Sequence, residues 1–409
     1  MSRGSKNTIP WVVAAIAAAL FTRCSWLTDM EFKSDEELTV HTLAQLSLDH
    51  FSPVGPISHH SGLAQSSGFF YVLRLLVFDY QPLSIVAWIA ALNAAAIILP
   101  LWWFRRSAKY TCTFALCATS LTLVVGSRKI WTPDLQAAWV CISIGLLGLS
   151  LRRSRLWAFV LAASAAFLLI MAGHMYLPGA YTAAVAGPVV LISFAVARRW
   201  SQCSGWLVGA MAGWATFIPW AITVLSAAPG THAAPRLVHT HEMANWFAAI
   251  RTGITICTPY DVYDRYINPD ERWLLIHHPG FWLSSTWFWT AISTVIGVTV
   301  FGAAIWLAVK RWRVAIRDPL LLTAAVLLLT IPNLLYAARL GSYIHYWFAA
   351  IPFFFYWIAW GATRGARIWK WLTVALCVTS LLAAASFINL VHENHGLPGE
   401  YGESYGSQG

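Results

Sequence analysis

Residues 82–104, Pro82-Leu-Ser-Ile-Val-Ala-Trp-Ile-Ala-Ala-Leu-Asn-Ala-Ala-Ala-Ile-Ile-Leu-Pro-Leu-Trp-Trp-Phe104, contain no charged side chain and end at Arg105-Arg106. A helix of this length spans the hydrocarbon core of a bilayer, roughly 30 Å. The basic pair that stops it is the type of residue retained on the cytoplasmic side. Working outward from this segment, the same alternation recurs along the chain. Basic residues cluster at Arg3 and Lys6, at Arg105, Arg106 and Lys109, and at Arg152, Arg153 and Arg155. Further clusters are Arg198-Arg199, then Lys310, Arg311, Arg313 and Arg317, then Arg364, Arg367 and Lys370. Each lies at every second apolar run. Read this way, the sequence predicts about eleven spans: 9–27, 82–104, 110–127, 134–151, 156–173, 178–197, 205–225, 281–309, 319–337, 343–361 and 371–390.

Composition agrees. Apolar residues make up 58% of the chain and charged residues 11%, with a mean hydropathy of +0.60; soluble domains carry about 25% charged residues. The first apolar run, Pro10–Leu20, has no small-residue cleavage site behind it and reads as a signal anchor. The expectation is an all-α polytopic membrane protein forming one transmembrane domain over 1–409, amino terminus inside and tail outside. The net charge of +10 is distributed as topology signals, which argues against nucleic acid as a partner.

Three outside segments are long. The first, 28–81, holds an amphipathic stretch after Asp35 and the short apolar run Phe69–Phe78, both predicted to be juxtamembrane helices. The second, 227–280, is rich in His, Trp and Tyr, and the third is the tail 391–409. Inside connections are about ten residues long and carry neither a phosphate-binding GxxxxGK[ST] nor a strand–GxGxxG–helix. A nucleotide or nucleotide sugar has no place to bind there. Cys112, Cys117, Cys141 and Cys377 fall within apolar runs and Cys203 beside an inner cluster; only Cys24 and Cys257 could meet outside.

The ionisable residues collect at outer span ends. In Ser34-Asp35-Glu36-Glu37, Ser34 and Glu37 fit a capping box, which leaves Asp35 and Glu36 in the first helical turn. Those two side chains point about 100° apart, so one can face a cavity while the other is anchored. A carboxylate there suits the deprotonation of a hydroxyl. The turn Ser127-Arg128-Lys129-Ile130-Trp131-Thr132-Pro133-Asp134 places two cations outside, against the charge trend. They suit either headgroup snorkelling or a phosphate site, which Lys33, Arg74, Arg251 and Arg339 could join. His174 closes the fifth span, and Tyr343 and His345 open the tenth; each is either an interfacial hydrogen-bonder or part of a pocket. The pairs His59-His60 and His277-His278, together with His239, His241 and His392-Glu393-Asn394-His395, give no fixed metal-ligand spacing. No metal site and no cofactor is assigned; divalent metal has no support in spacing.

These segments resemble the C-type glycosyltransferase superfamily, in particular the bacterial group related to protein O-mannosyltransferases and lipid A aminoarabinose transferase. The resemblance rests on Phe32-Lys-Ser-Asp35-Glu36-Glu37 in the first outside loop and on Gly68-Phe-Phe-Tyr-Val-Leu-Arg74-Leu-Leu-Val-Phe leading into the second span. It also includes the 127–134 turn, Gly173-His-Met-Tyr176 and Tyr343-Ile-His345-Tyr346. It implies transfer of a sugar from a polyprenyl-phosphate donor to an exported lipid, glycan or protein acceptor, outside a bacterial inner (plasma) membrane. In that reading Asp35 and Glu36 are catalytic, while Arg128, Lys129, Arg339 and Lys33 bind the donor phosphate. His174, Tyr343 and His345 then line the substrate pocket. The chain departs from several relatives in its short tail and modest span count. A flippase or transporter is the non-enzymatic alternative, but charge is scarce at mid-span and no internal repeat is evident. A polysaccharide polymerase or ligase, depending on the 227–280 loop, is the enzymatic alternative.

Overall fold

In hydrocarbon a backbone must satisfy its own hydrogen bonds, and for a chain this apolar the helix is the simplest way to do so. The computed structural model describes residues 9–46, 52–57, 64–226, 246–270, 274, 276, 280–337, 343–397 and 401–407, and it is predominantly helical. The first elements are α1 (Ile9–Cys24), α2 (Ser34–Gln45), α3 (Gly68–Leu76), α4 (Pro82–Trp103), α5 (Ala108–Thr119) and α6 (Leu121–Gly126). Next come α7 (Gln136–Ser150), α8 (Arg155–Met175), α9 (Leu177–Val196), α10 (Trp200–Ala215) and α11 (Ile218–Ser226). Two short helices of the second long loop follow, α12 (Trp246–Thr255) and α13 (Tyr260–Tyr266). The chain ends with α14 (Phe281–Lys310), α15 (Pro319–Ala337), α16 (Ile351–Arg364) and α17 (Arg367–Asn394). Two small antiparallel pairs accompany them: β1 (Val54–Ile57) with β2 (Ala64–Ser66), and β3 (Gly396–Leu397) with β4 (Gly402–Glu403).

Seven helical segments among the described residues are long and apolar enough to cross a membrane. They are α4, α7 with the turn before it, α8, α9, α10 running into α11, α14 and α17. The other four expected spans also fall on helix, but in shorter pieces. Helix α1 has 16 residues and α16 has 14. The 110–127 segment breaks at Ser120, which adopts extended backbone (ψ 116°) while its hydroxyl accepts the Leu123 N–H to start α6.

Without a hydrophobic force between helices in lipid, close backbone approach has to supply the attraction. Helix α8 packs on α7, α9 and α10. Gly205, Gly209 and Gly213, spaced four apart on α10, form the contact stripe with α8. A Cβ at Gly209 would lie 2.0 Å from the Ala163 carbonyl oxygen, and one at Gly205 2.2 Å from that of Phe159. Elsewhere, buried arginines tie helices by their open ends. Arg23 of α1 donates to the Ala118 and Cys117 carbonyls at the end of α5, each at 3.0 Å, meeting acceptors that have no partner within the helix. All seven cysteines are free, Cys24 exposed and Cys257 buried.

The tail folds back over the first loop. Helix α17 ends at His395 in the left-handed conformation (φ 51°), and the returning strand bridges Ser404 to Glu31. The Tyr405 N–H donates to the Met30 carbonyl at 3.1 Å. The Tyr401 hydroxyl donates to the Asp29 carbonyl at 2.7 Å. His392 pairs with Asp29 at 2.7 Å and stacks on Trp26 at 4.4 Å. The ends of α1 and α17 therefore meet at one end of the bundle.

Candidate functional site

At that end the first loop makes a tight passage between α1 and α2. Helix α2 begins one residue earlier than the Ser34–Glu37 capping box would place it. Lys33 is the N-cap, and its backbone N–H donates to Glu36 Oε2 at 3.0 Å, so Glu36 and not Glu37 closes the first turn. Glu37 and Asp35 are exposed, while Glu36 is fully buried. The 100° step between adjacent helical residues thus separates the two candidate carboxylates.

The buried side of this turn meets the 127–131 connection between α6 and α7. Lys129 Nζ lies 3.1 Å from Glu36 and 2.9 Å from Glu31, and Lys33 Nζ lies 2.7 Å from the other oxygen of Glu31. Tyr266 of α13 donates to Glu31 at 3.5 Å. The Lys129 ammonium also sits 4.8 Å from the centre of the Trp131 ring. Burial opposes the ammonium of Lys129, yet Tyr266, Glu31 and Glu36 together hold its pKa above the ordinary lysine value. Burial raises the Glu36 pKa, and Lys129 offsets only part of that rise. The result is a nearly dry lattice of two glutamates and two lysines, drawn from segments almost a hundred residues apart.

The turn itself is held from below. Asp134 accepts the Trp131 N–H at 2.9 Å, and Asn93 of α4 donates to the Asp134 carbonyl at 3.2 Å. Arg128 does not project outward: its guanidinium is buried and donates to the Thr22, Ser25 and Trp26 carbonyls at the end of α1. His174 is likewise fixed through both ring nitrogens, to Ser66 and to Thr216 at 2.6 Å each, and stacks on Phe217 at 3.7 Å. These two residues position the loop and the bundle.

His345 is buried in an aromatic group. Its ring centre lies 4.6 Å from that of Trp131, 4.4 Å from Tyr346, and 5.6 Å from both Tyr176 and Tyr343. Tyr343 is half-buried. Asp35 belongs to the same neighbourhood. The Tyr176 hydroxyl has its pKa raised by burial first, then by Tyr346, and also by the charge of Asp35. The structure therefore brings Asp35, Glu36, Lys33, Lys129, Tyr343 and His345 to one end of the molecule. Arg339 lies outside the described residues, as do His59, His60, His239, His241, His277 and His278.

Behind Lys129, Glu31, Arg128 and Tyr401 border a cavity of about 10 Å³, room for one water. A sugar phosphate cannot enter there; Asp35 is exposed and Lys33 partly so. Among the described residues no three His, Cys, Asp or Glu side chains converge as a metal site.

The sequence reading missed Glu31 and Tyr266. Glu31 stands next to the quoted motif and was detectable as a further carboxylate. Tyr266 comes from the second loop, and nothing local marks it. Asp261, also of α13, is buried, and its Oδ1 accepts from Thr255 at 3.0 Å. Burial pushes its pKa up to about 7, against the pull of that bond and of Arg251. Compared with known proteins, the chain matches no family model, no curated sequence and no solved structure.

Proposed function

We propose that this protein transfers a sugar from a polyprenyl-phosphate donor to an exported lipid, glycan or protein acceptor at the outer face of a bacterial inner membrane. The observation that carries the reading is the contrast between two adjacent carboxylates. Asp35 is exposed beside Lys33 and the aromatic group, whereas Glu36 is buried on Lys129. An acceptor hydroxyl would lose its proton to Asp35 as its oxygen bonds the anomeric carbon. The bond from that carbon to the phosphate oxygen breaks in the same step. The phosphate leaves with the electron pair, and configuration inverts.

Within this proposal Glu36 is a positioning residue. With Glu31 it holds Lys129 and braces Lys33, whose ammonium is the more open of the two cations, its side chain 36% exposed. Lys33 and Lys129 offset charge developing on the phosphate, and Arg339 remains a candidate third cation. Tyr343 and His345 supply aromatic walls for a sugar ring; Arg128 and His174 hold the frame. The topology adopted is the eleven-crossing one, with the amino terminus cytoplasmic and the tail outside.

The test uses membranes carrying the full chain and radiolabelled undecaprenyl-phosphate hexoses and pentoses. Asp35→Asn should lower transfer by about 10²–10⁴-fold, the usual contribution of a general base. Its abundance should not change, because the side chain is exposed. Full activity in this variant would remove Asp35 from the mechanism. Lack of transfer from any such donor by the wild-type chain would remove the reaction class.

A further inference from the structure

The opposite end of the bundle holds a second polar centre that sugar transfer does not use. Lys109, at the start of α5, pairs with Asp318 at 3.2 Å. The Tyr356 hydroxyl of α16 lies 2.8 Å from one Asp318 oxygen and 3.0 Å from the other, and it also contacts Lys109. Asp318 further accepts the Leu321 N–H at 3.4 Å, so it caps α15 as well. Its charge is thus matched by a lysine, a hydroxyl and a helix N-terminus.

This triad forms the floor of a cavity of about 250 Å³ walled by Leu151, Phe194 and Val314, with Arg199, Arg317 and Arg364 also lining it. Arg199 and Arg317 come from two different connections and Arg364 from the last turn of α16. Among the described residues none of them forms an ion pair, and all three are exposed. Topology signals need only lie on one side of a membrane; they have no reason to converge on a single recess. With Lys109 matched to Asp318, the recess keeps an excess of three positive charges. Guanidinium groups pair bidentately with phosphate oxygens. The volume falls just below the roughly 300–1,000 Å³ of sites for drug-sized ligands, which fits a phosphate group with a small substituent inside the recess.

The geometry points to a binding site for a phosphate group in this recess, held by Arg199, Arg317 and Arg364 over the Lys109–Asp318–Tyr356 floor. The phosphate can come from the headgroup of an anionic phospholipid, since basic pockets between membrane helices take such groups, or from free inorganic phosphate.

The full chain, purified in an uncharged detergent, separates these sources. Phosphatidylglycerol and phosphatidylcholine would be titrated in mixed micelles and followed by native mass spectrometry; inorganic phosphate would be titrated and followed by thermal unfolding. The proposal expects phosphatidylglycerol or inorganic phosphate to bind, and Arg199→Gln/Arg317→Gln/Arg364→Gln to weaken that binding at least tenfold. Arg106→Gln/Arg153→Gln/Arg155→Gln removes the same charge from exposed positions at the same end and should leave binding within about twofold. Arg317→Gln alone, which keeps the floor intact, should weaken it about threefold should the triple variant fold poorly. Preference for phosphatidylglycerol over phosphatidylcholine assigns the lipid source, and binding of inorganic phosphate alone assigns the free anion. Equal weakening by both triple variants would reduce the recess to bulk charge and overturn the proposal. So would no binding of either probe by the wild-type chain.

Discussion

Two lysines mark the two ends of this molecule, and their surroundings differ in kind. Lys129, at the end carrying the first loop, lies between Glu31 and Glu36, with Lys33 completing a charge-balanced lattice. Lys109, at the other end, faces a single carboxylate within a ring of arginines. The Lys129 lattice is charge-balanced and mostly buried, and Asp35 beside it is exposed. The Lys109 cluster is open and positive, so it is suited to hold a ligand of the opposite sign. A buried ion pair costs its desolvation whether or not it stabilises the fold; what differs is the charge left for something else.

This comparison can be broken most directly at Lys129. Lys129→Met leaves two glutamates buried near each other without their shared cation. It should cost about 3–5 kcal/mol, the usual penalty for breaking a buried ion pair, read as a drop in thermal midpoint. Adding Glu31→Gln and Glu36→Gln to that variant should restore much of the loss, because no uncompensated buried charge then remains, the Lys33 side chain being 36% exposed. A triple variant as unstable as Lys129→Met would show that packing, not charge, holds the loop.

The end carrying the first loop should also show a pH response, through Asp261. Its folded-state pKa is raised to about 7, so folding favours the protonated acid. The stability it supplies is fully present below the ordinary aspartate range and is lost as pH rises toward 7. Over that interval the loss should reach up to about 4 kcal/mol, at roughly 1.4 kcal/mol per unit. Asp261→Asn should flatten the curve of thermal midpoint against pH between 4 and 7. An unchanged curve would place the response elsewhere.

Effects at the Lys109 end should be smaller. Lys109→Met removes a partner from an Asp318 that keeps Tyr356 and a helix N-terminus, and should cost about 1.5 kcal/mol. Arg317→Gln should change the thermal midpoint by no more than about 0.5 kcal/mol in equivalent stability, as exposed substitutions do. A large loss from Arg317→Gln without any ligand would show that the arginine ring is structural, and the contrast between the two ends would disappear.

Legibility in the sequence follows the same division. The 82–104 run appears as α4 almost unchanged, because twenty apolar residues in lipid have few alternatives to a helix. The 110–127 run divided at Ser120, where a small polar side chain offered its own cap and hydropathy gave no warning. At the site, Asp35, Lys33 and Lys129 were each visible as charges flanking apolar runs. That Glu36 faces inward onto Lys129 was not visible, because it depends on where α2 starts, and the N-cap is Lys33 instead of Ser34. Arg128 and His174 looked available for a ligand. Their partners are backbone carbonyls and hydroxyls that any sequence supplies, so nothing in the residue string marked them as occupied.

By itself, then, the sequence determined the helical membrane class and the sorting of charge to span ends, since both follow from transfer of side chains and backbone out of water. Only the tertiary structure decided which of those charges are spent on one another. An ion pair such as Lys129–Glu36 depends on distance, and distance across a bundle is set by helix packing, including the glycine stripe of α10, and not by position along the chain.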